Sequence, residues 1–500
     1  MIQRLARSPG AWIAALALVL ALLLPGVRGI WDHDEGRYTN VALHMLDSGN
    51  WLEPHRSEEV GHWTKPPLVY WAIATSVATF GRNAWAARLP SSLSYLLCVW
   101  LAFRMARRLA PGSERMAGLA FAIMLLPFGA AQLITADYVL AACEALAMWG
   151  FVEARFGNQR HERRWLALMW AGFGLAFLAK GPPGLLPLLA VFVFDALTPA
   201  TRVDGTRRLR AMQWWGLLLF AVIALPWFVV VVLRNPGLLA YFLGAEVVGR
   251  VASNDFNRHG QWYGWLEIYA PTLLLGTIPW WRQLWRWLRS LPARASAWRT
   301  PVGRDADRAG LLLALWVLLP LLVFCLARSR LPLYILPLFV PLAVVVARQR
   351  LSDRQGLPPL RMVLPWAALL LALELATALW PTHKDGAAWE RAIAERAPGP
   401  VSQVLIVDDM ARYSLNMQLG VDVEKLSLMH LQQPVFNPEY DEDVADELAD
   451  DYDPDAIWFT KQEHFAEVQA HLQQLGYVAI PQGTPFEGRT LFRVHRAGAD

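Results

Sequence analysis

Charged residues are scarce in this chain. They make up 18% of its 500 residues, whereas apolar residues make up 55%. A soluble domain of this size needs more charged surface, so composition leaves a soluble helical protein with an apolar core only as a weak rival to a membrane protein. The three cysteines, Cys98, Cys143 and Cys325, lie within apolar blocks. Their spacing suggests neither a zinc site nor a disulfide framework.

Other common signals are also missing. Neither a nucleotide-binding loop nor a solenoid-type repeat is evident. No small-residue cleavage site stands out before Trp31, so Ala11–Leu24 is expected to be an uncleaved first span rather than a secretory signal. The chain has instead a series of long apolar blocks. With their flanks, these blocks are near the length that crosses a hydrocarbon core of about 30 Å as a helix.

Arginine-rich linkers set the predicted topology. By the positive-inside rule, they should face the cytoplasm together with the N-terminus. A full span at 66–80 would move the later linkers outside, so this segment is expected to lie on, or dip into, the outer face. The prediction is an α-helical polytopic membrane protein with about 11–13 spans. The linkers are 104–115, 155–164, 202–210, 282–308 and 348–361, and the spans are approximately 10–27, 89–108, 116–134, 138–155, 165–180, 184–199, 213–233, 264–282, 309–327, 331–347 and 362–380.

The composition changes after Pro381. Short alternating segments there are typical of strands, and one amphipathic segment is typical of a helix, which together indicate a small α/β domain. We therefore expect a membrane domain at 1–380, with an outward loop at 28–88, and a soluble extracytoplasmic domain at 381–500. The predicted strands are Val401–Val407, Ala456–Thr460 and Thr490–Val494, and the predicted helix is His464–Leu475.

The first outward loop contains a cluster of charged residues. Asp34 and Glu35 follow a span by a few residues, and the apolar residues after Tyr38 continue with helical spacing. The pattern predicts an interfacial helix entered through the acidic pair, although Asp34 could merely cap that helix. Other polar groups recur at the outer ends of later spans. These are Asp137, Lys180, Glu246, Arg250, Arg258, His259, Arg328, Arg330 and Tyr334.

This set of side chains suits a phosphorylated lipid that enters from the outer leaflet. A carboxylate can act as a base for a hydroxyl or phosphate acceptor. Lysine and arginine can hold a phosphate, arginine through its two-pronged fork.

The motifs themselves resemble those of a known family. They are similar to polyprenyl-phosphate-dependent C-type glycosyltransferases, nearest to the aminoarabinose transferases of lipid A and more distantly to protein O-mannosyltransferases. The resemblance extends from about residue 30 to 347. The matching motifs are Asp34–Tyr38, Ser48–Trp51, Lys65–Trp71, Ala87–Ser91, Asp137, Lys180–Gly184, Glu246–His259 and Arg330–Pro337.

The resemblance implies a C-type glycosyltransferase fold and a role for each matching residue. Asp34 would be the catalytic carboxylate of the first loop, and Asp137 the second acidic residue of the cavity. Neutralising the leaving phosphate would lower the cost of its developing negative charge. The implied phosphate ligands are Lys65, Arg250 and Arg330, and the implied cavity residues are Glu35, Arg37, Tyr38, Lys180, His259 and Tyr334.

One position departs from the family pattern. Family members commonly carry Glu directly before the first-loop lysine, where it can help to bind a metal with a later histidine; this chain has Thr64. Thr64 therefore weakens the prediction of a divalent metal, which the resemblance leaves possible, and no other cofactor is expected. His62 could substitute as a ligand, but a lone loop histidine is more often a surface residue. For Arg88 we expect a structural anchor to lipid headgroups.

The predicted function is transfer of a sugar from a polyprenyl-phosphate donor to a lipid, glycan or protein acceptor at the outer face of a bacterial inner membrane. Transfer of aminoarabinose to lipid A is the nearest precedent. Membrane lipids are expected as further partners, and a nucleic acid is not. A transporter or flippase for lipid-linked sugars is the alternative, although transporters usually show repeated halves and binding groups near the midplane. A membrane scaffold would leave the first-loop motifs unexplained.

Overall fold

The computed structural model describes residues 9–199, 208–249 and 259–498. Up to residue 380 the described chain is helical, and each of the predicted spans contains a helix. The α-helices of this part are Pro9–Leu22, Asp34–Ser48, Leu68–Phe80, Ala84–Leu109, Glu114–Ala122, Leu125–Ala131, Ala136–Phe156, Glu162–Lys180, Pro187–Leu197, Trp214–Arg234, Leu238–Tyr241, Gly264–Gly276, Trp281–Ala297, Pro301–Ala306, Arg308–Leu326, Phe339–Ser352 and Leu360–Leu379. Shorter 3₁₀ turns occupy Gln159–His161, Pro182–Leu185 and Pro332–Leu338, and a π-helix occupies Phe242–Gly249.

Several of these helices are long and apolar enough to cross a membrane. Five described helical segments meet both requirements, or six if the pair Glu114–Ala122 and Leu125–Ala131, bent by 59°, forms one span. The segment at 66–80, predicted to lie on or dip into the outer face, contains a helix of 13 residues, which at about 1.5 Å per residue is shorter than a hydrocarbon core. The helical, polytopic character is confirmed, and the span count stays a prediction.

Contacts divide the chain into two compact units. The first comprises 1–25 and 90–374, and the second comprises 26–89 and 375–500. The core of the first unit is built by apolar faces of its helices, with Trp170 and Trp316 among the largest fully buried side chains. The first outward loop thus belongs to the same compact unit as the C-terminal sheet, while the division at residue 380 remains a prediction about where the membrane part ends.

The second unit contains a six-stranded mixed sheet of order β3-β2-β1-β4-β6-β5. Strands β1, β2, β3 and β4 pair in parallel, and β6 runs antiparallel to β4 and β5. Because side chains alternate between sheet faces, Leu405 and Val407 of β1 enter one apolar cluster while Val404 and Ile406 enter the other. The strands are β1 Gln403–Val407, β2 Asp422–Ser427, β3 Glu442–Asp443, β4 Ile457–Lys461, β5 Tyr477–Pro481 and β6 Arg489–Arg496.

Helices cover this sheet and complete the α/β domain. They are Gly386–Arg396, Ser414–Leu419, Val444–Asp450 and Phe465–Gln474, with a 3₁₀ turn at Gln462–His464. The predicted strands at 401–407, 456–460 and 490–494 and the helix at 464–475 are confirmed to within two residues at each end. The small C-terminal α/β domain is therefore confirmed.

Candidate active site

Three acidic residues lie at the start of helix Asp34–Ser48 or just before it, and their environments differ. The first of these environments is a buried ion cluster around Glu35, whose exposed fraction is 4%. Arg28 donates to both carboxylate oxygens at 2.7 and 3.0 Å, and Arg88 donates to them at 3.0 and 3.2 Å. The backbone N–H of Trp31 adds a further bond at 3.0 Å. The two guanidinium groups outweigh the effect of burial and lower the pKa of Glu35 to about 2.

Arg88 is therefore a structural residue of the protein interior. Its guanidinium also donates to the carbonyl oxygens of Arg28 and Gly29, at 2.7 Å each, and its exposed fraction is 1%. The expectation that Arg88 anchors lipid headgroups is wrong, because a headgroup cannot reach a side chain buried in this way. Arg28, which the sequence motifs did not single out, completes the cluster.

Asp32 is also buried, and it joins the loop to the C-terminal part of the same unit. Its carboxylate accepts a hydrogen bond from the backbone N–H of Ser414 at 3.0 Å and another from the Ser414 hydroxyl. Burial raises the pKa of Asp32 to about 7, although both Ser414 bonds act in the opposite direction. Gly36 is needed here, because a Cβ at this position would overlap the Asp32 carboxylate and lie 2.8 Å from the Ser414 nitrogen.

Asp34, between these two anchored residues, is exposed. The exposed fraction of its side chain is 68%, and its Oδ1 accepts a hydrogen bond from Arg37 at 2.8 Å. Within the described part of the chain, Oδ2 has no hydrogen-bond partner. Asp34 is the first residue of the helix rather than its cap, and the N-cap residue His33 makes no side-chain capping bond. Of the three carboxylates, Asp34 is thus the one that a substrate could reach.

The remaining first-loop candidates lie in the same unit. Tyr38 is buried and packs on Tyr70, with 5.7 Å between ring centroids. Lys65 is half-buried, and its ammonium group donates to the Thr64 carbonyl at 2.7 Å.

Thr64, the residue that departs from the family pattern, contacts His62. The Thr64 hydroxyl and the Nε2 atom of His62 form a hydrogen bond of 2.6 Å. His62 is 2% exposed, so the expectation of a surface histidine is wrong. Burial, together with the positive charges of Arg37, Arg56 and Lys65, lowers the pKa of His62 well below its ordinary value. A hydroxyl bonded to a neutral imidazole offers no carboxylate oxygen, which is the ligand that hard cations such as Mg²⁺ and Ca²⁺ favour.

The other group of candidates lies in the first unit, around Lys180. Asp137 occupies the first turn of helix Ala136–Phe156, which Thr135 caps, and Lys180 is the last residue of helix Glu162–Lys180. The two side chains form an ion pair, each with an exposed fraction of 9%. The Lys180 ammonium group also lies 4.4 Å from the ring centroid of Tyr334, a cation–π distance. The structure thus brings together Asp137, Lys180 and Tyr334.

Arg330 is buried in the first unit, where its guanidinium group binds backbone carbonyl oxygens. Its Nη1 donates to the carbonyls of His259 and, at 2.7 Å, Gln261, while its Nη2 donates to the Cys325 carbonyl at 3.0 Å. His259 is half exposed, and its Nδ1 lies 3.7 Å from a carboxylate oxygen of Glu267. The contacts of Arg330 are those of a structural residue, and its predicted role at the phosphate stays a prediction. Arg250 and Arg258 lie outside the described residues.

Known glycosyltransferases are similar to this chain in sequence. A family profile described as dolichyl-phosphate-mannose-protein mannosyltransferase matches residues 64–231. An undecaprenyl phosphate-α-4-amino-4-deoxy-L-arabinose arabinosyl transferase from Pseudomonas fluorescens (strain Pf0-1) is 32% identical over 357 residues, which is 69% of this chain and 60% of that protein. The transferase of the same name from Enterobacter sp. (strain 638) is 30% identical over 348 residues, covering 67% of this chain and 58% of that protein. The chain thus spans about three fifths of the length of these curated relatives.

Solved structures give the fold. The crystal structure of ArnT from Cupriavidus metallidurans bound to undecaprenyl phosphate matches with a TM-score of 0.75 and 22% identity, over 96% of this chain and 97% of that chain. The Archaeoglobus fulgidus oligosaccharyltransferase, in a complex with zinc and sulfate, matches with a TM-score of 0.51 and 12% identity, over 98% and 73% of the two chains. The chain is a multi-pass membrane protein, and it belongs to the aminoarabinose-transferase-like family of C-type glycosyltransferases.

Proposed function

We propose that this chain is an integral-membrane glycosyltransferase that takes a sugar from a polyprenyl-phosphate donor and transfers it to an acceptor at the outer face of the bacterial inner membrane. The names of its relatives support the donor class. Aminoarabinose as the sugar and lipid A as the acceptor are the substrates to test first. The arginine-rich linkers support a cytoplasmic N-terminus and a periplasmic C-terminal domain.

The exposure of Asp34 is the observation that supports the proposed role of this residue. Among three acidic residues at the start of one helix, only Asp34 combines high exposure with an oxygen that accepts no bond from the described residues. Asp32 and Glu35 are buried and bonded within the protein. Such an arrangement supports Asp34 as the group that meets the acceptor, since a catalytic base must lie within hydrogen-bond reach of the proton it removes.

In the proposed reaction, the acceptor oxygen forms a bond to the anomeric carbon of the sugar. The bond between that carbon and the phosphate oxygen breaks, and the polyprenyl phosphate leaves with the electron pair. Asp34 takes the proton from a hydroxyl acceptor, or orients an acceptor that is already ionised. The resemblance assigns Lys65, Arg250 and Arg330 to the leaving phosphate, and cations there would lower the barrier because negative charge grows on that phosphate in the transition state.

For Asp137, Lys180 and Tyr334 we propose a supporting role in binding the donor. The buried ion pair fixes the Lys180 ammonium group, and the ring of Tyr334 stabilises it further. A fixed cation costs little entropy when it meets a phosphate, so its position favours binding.

The test is sugar transfer by purified protein, with mass spectrometry of lipid A and of envelope glycans from cells with and without the chain. Asp34→Asn should abolish transfer while the protein still inserts into the membrane. Asp47→Asn is the matched control, because Asp47 is also an exposed carboxylate on the same helix, where it pairs with Arg82. Transfer at the wild-type rate by Asp34→Asn would overturn the assignment of Asp34, and unchanged envelope glycans in cells that lack the chain would overturn the proposed function.

A further inference from the structure

Three glutamate side chains converge at one edge of the C-terminal sheet. Glu424 lies on β2, Glu442 on β3 and Glu447 on helix Val444–Asp450. One carboxylate oxygen from each residue can be chosen so that all three atoms lie within 4.8 Å of one another. β2 and β3 pair in parallel, with Leu426 opposite Glu442, so strand pairing holds two of the three positions in place.

The charged side chains with the largest effects on the pKa of each of these carboxylates are themselves acidic. The groups with the largest electrostatic effects on Glu424 are Asp422, Asp441 and Glu442, and all three raise its pKa. With burial as the first cause, the pKa of Glu424 is raised to about 9. Burial also raises the pKa of Glu442 and that of Glu447. Holding three anions this close together therefore requires a bound cation or bound protons.

Glu447 gives a second and independent indication. Its exposed fraction is 1%, and its Oε1 accepts no hydrogen bond from a donor group of the described residues; the side-chain hydrogen bond of Glu447 is to Glu442, inside the cluster. A buried carboxylate oxygen without a partner costs free energy, since burial removes the water that would otherwise solvate it. The same residue supplies one of the three carboxylate oxygens that lie within 4.8 Å of one another.

We propose that Glu424, Glu442 and Glu447 form a binding site for a divalent cation, with Ca²⁺ as the best match. Ligands that are all oxygen select hard cations. Oxygens bound to one Ca²⁺ at 2.3–2.6 Å lie at most about 5 Å apart, so the observed separations fit the ion. The bound ion would join β2, β3 and the helix that follows, and would lock this edge of the sheet. This site is separate from the proposed transfer reaction and does not depend on it.

A neighbouring group of acidic residues has a structural role that explains its position. His430, Asp443 and Asp446 also lie close together. Asp443, however, caps helix Val444–Asp450 by accepting bonds from the backbone N–H groups of Ala445 and Asp446, at 3.0 Å each. The His430 side chain is 84% exposed. The capping bonds account for this group, and it serves as an internal control.

The experiment is isothermal titration of Ca²⁺, and separately of Mg²⁺, into full-length protein that was purified in detergent and treated with a chelator. We expect Glu447→Gln and Glu424→Gln each to weaken one calcium site by at least about tenfold, because affinity follows the number of charged ligands. Asp446→Asn should bind as the wild type does. A counted difference of one ion between wild type and Glu447→Gln separates this site from any other cation site of the chain.

Thermal unfolding provides a readout that does not depend on titration heats. Ca²⁺ should raise the Tm of the wild type and leave that of Glu447→Gln unchanged. In chelator, Glu447→Gln should unfold no earlier than the wild type, because the substitution removes repulsion among the three carboxylates. Calcium binding and Tm that are the same in wild type and both glutamine variants would overturn the proposal. So would a wild type that binds neither ion at millimolar concentration, since protons would then neutralise the cluster.

Discussion

Two adjacent substitutions, Asp34→Asn and Glu35→Gln, should have opposite consequences. Asp34 makes an exposed pair with Arg37, and pairs of this type contribute about 0–1 kcal/mol. Glu35 pairs with two buried guanidinium groups, and removal of one partner from a buried ion pair costs about 3–5 kcal/mol. For a unit of about 190 residues this cost corresponds to a Tm lower by roughly 6–20 °C.

The transfer activities of the two variants should differ in the opposite sense, with Asp34→Asn the more impaired. Loss of a general base lowers a rate by about 10²–10⁴-fold, so Asp34→Asn should keep the wild-type Tm and lose transfer. Glu35→Gln should keep measurable transfer at temperatures where it is folded. Differential scanning fluorimetry and an in vitro transfer assay on the same preparations test both statements. If Glu35→Gln kept the wild-type Tm but lost transfer, Glu35 would be the residue that meets the substrate, and the reasoning would be refuted.

The acid limb of the stability curve provides a further check on Glu35. Its pKa in the folded protein, about 2, lies below the ordinary value of 4.5. The stabilisation is therefore fully present above about pH 4.5 and is lost as the pH falls towards 2. A difference of this size is equivalent to about 3 kcal/mol. Glu35→Gln should remove this part of the acid dependence, which urea unfolding at a series of pH values would measure.

The remaining predictions concern other contacts. The single variants Asp137→Asn and Lys180→Met should each lower the free energy of unfolding by about 3–5 kcal/mol and reduce transfer. In a double-mutant cycle, the double variant should be more stable, by at least about 1 kcal/mol, than the sum of the two single effects predicts. Asp32→Asn should stay within about 1 kcal/mol of the wild type below about pH 3.8 and should lack the loss of stability that the wild type shows as the pH rises from about 3.8 to about 7, since the raised pKa of Asp32 makes its neutral form the stabilising one. A cysteine placed by Val435→Cys, at a position 87% exposed, should react with a membrane-impermeant maleimide from the periplasmic side, and one placed by Arg354→Cys, in an arginine-rich linker, should not.

Local patterns predicted the helices and several of the strands. The apolar runs that predicted the spans each contain a helix, and the spacing after Tyr38 predicted helix Asp34–Ser48. Strand β2 was not predicted, because three of its six residues are charged, including the adjacent Glu424 and Lys425, and only two are apolar. Its position is determined by pairing with β1 on one side and β3 on the other, and neither pairing leaves a local pattern in the sequence.

The sequence predicted which residues belong to the candidate site, but it did not predict which of them are buried and which are exposed. The motifs named Asp34 and Glu35 together, and sequence could not show that one is exposed and the other buried. The difference depends on partners far along the chain. Arg88 lies 53 residues from Glu35, and Ser414 lies 382 residues from Asp32. Contacts over such separations arise from tertiary packing, so hydropathy and spacing carry no signal for them.

These distant contacts explain how an exposed carboxylate can be held in place. Asp32 is fixed by Ser414, Glu35 is fixed by Arg28 and Arg88, and Asp34 lies between them on the same turn of backbone. A functional group is most effective when its neighbours are locked and it is free to meet its ligand. Glu35 and Asp32 are therefore positioning residues in the proposed mechanism. Substitutions there should lower kcat through displacement of Asp34, and the loss should be smaller than that caused by Asp34→Asn itself. A Glu35→Gln variant that is fully folded at the assay temperature and transfers sugar at the wild-type rate would show that the helix start is held without this ion cluster.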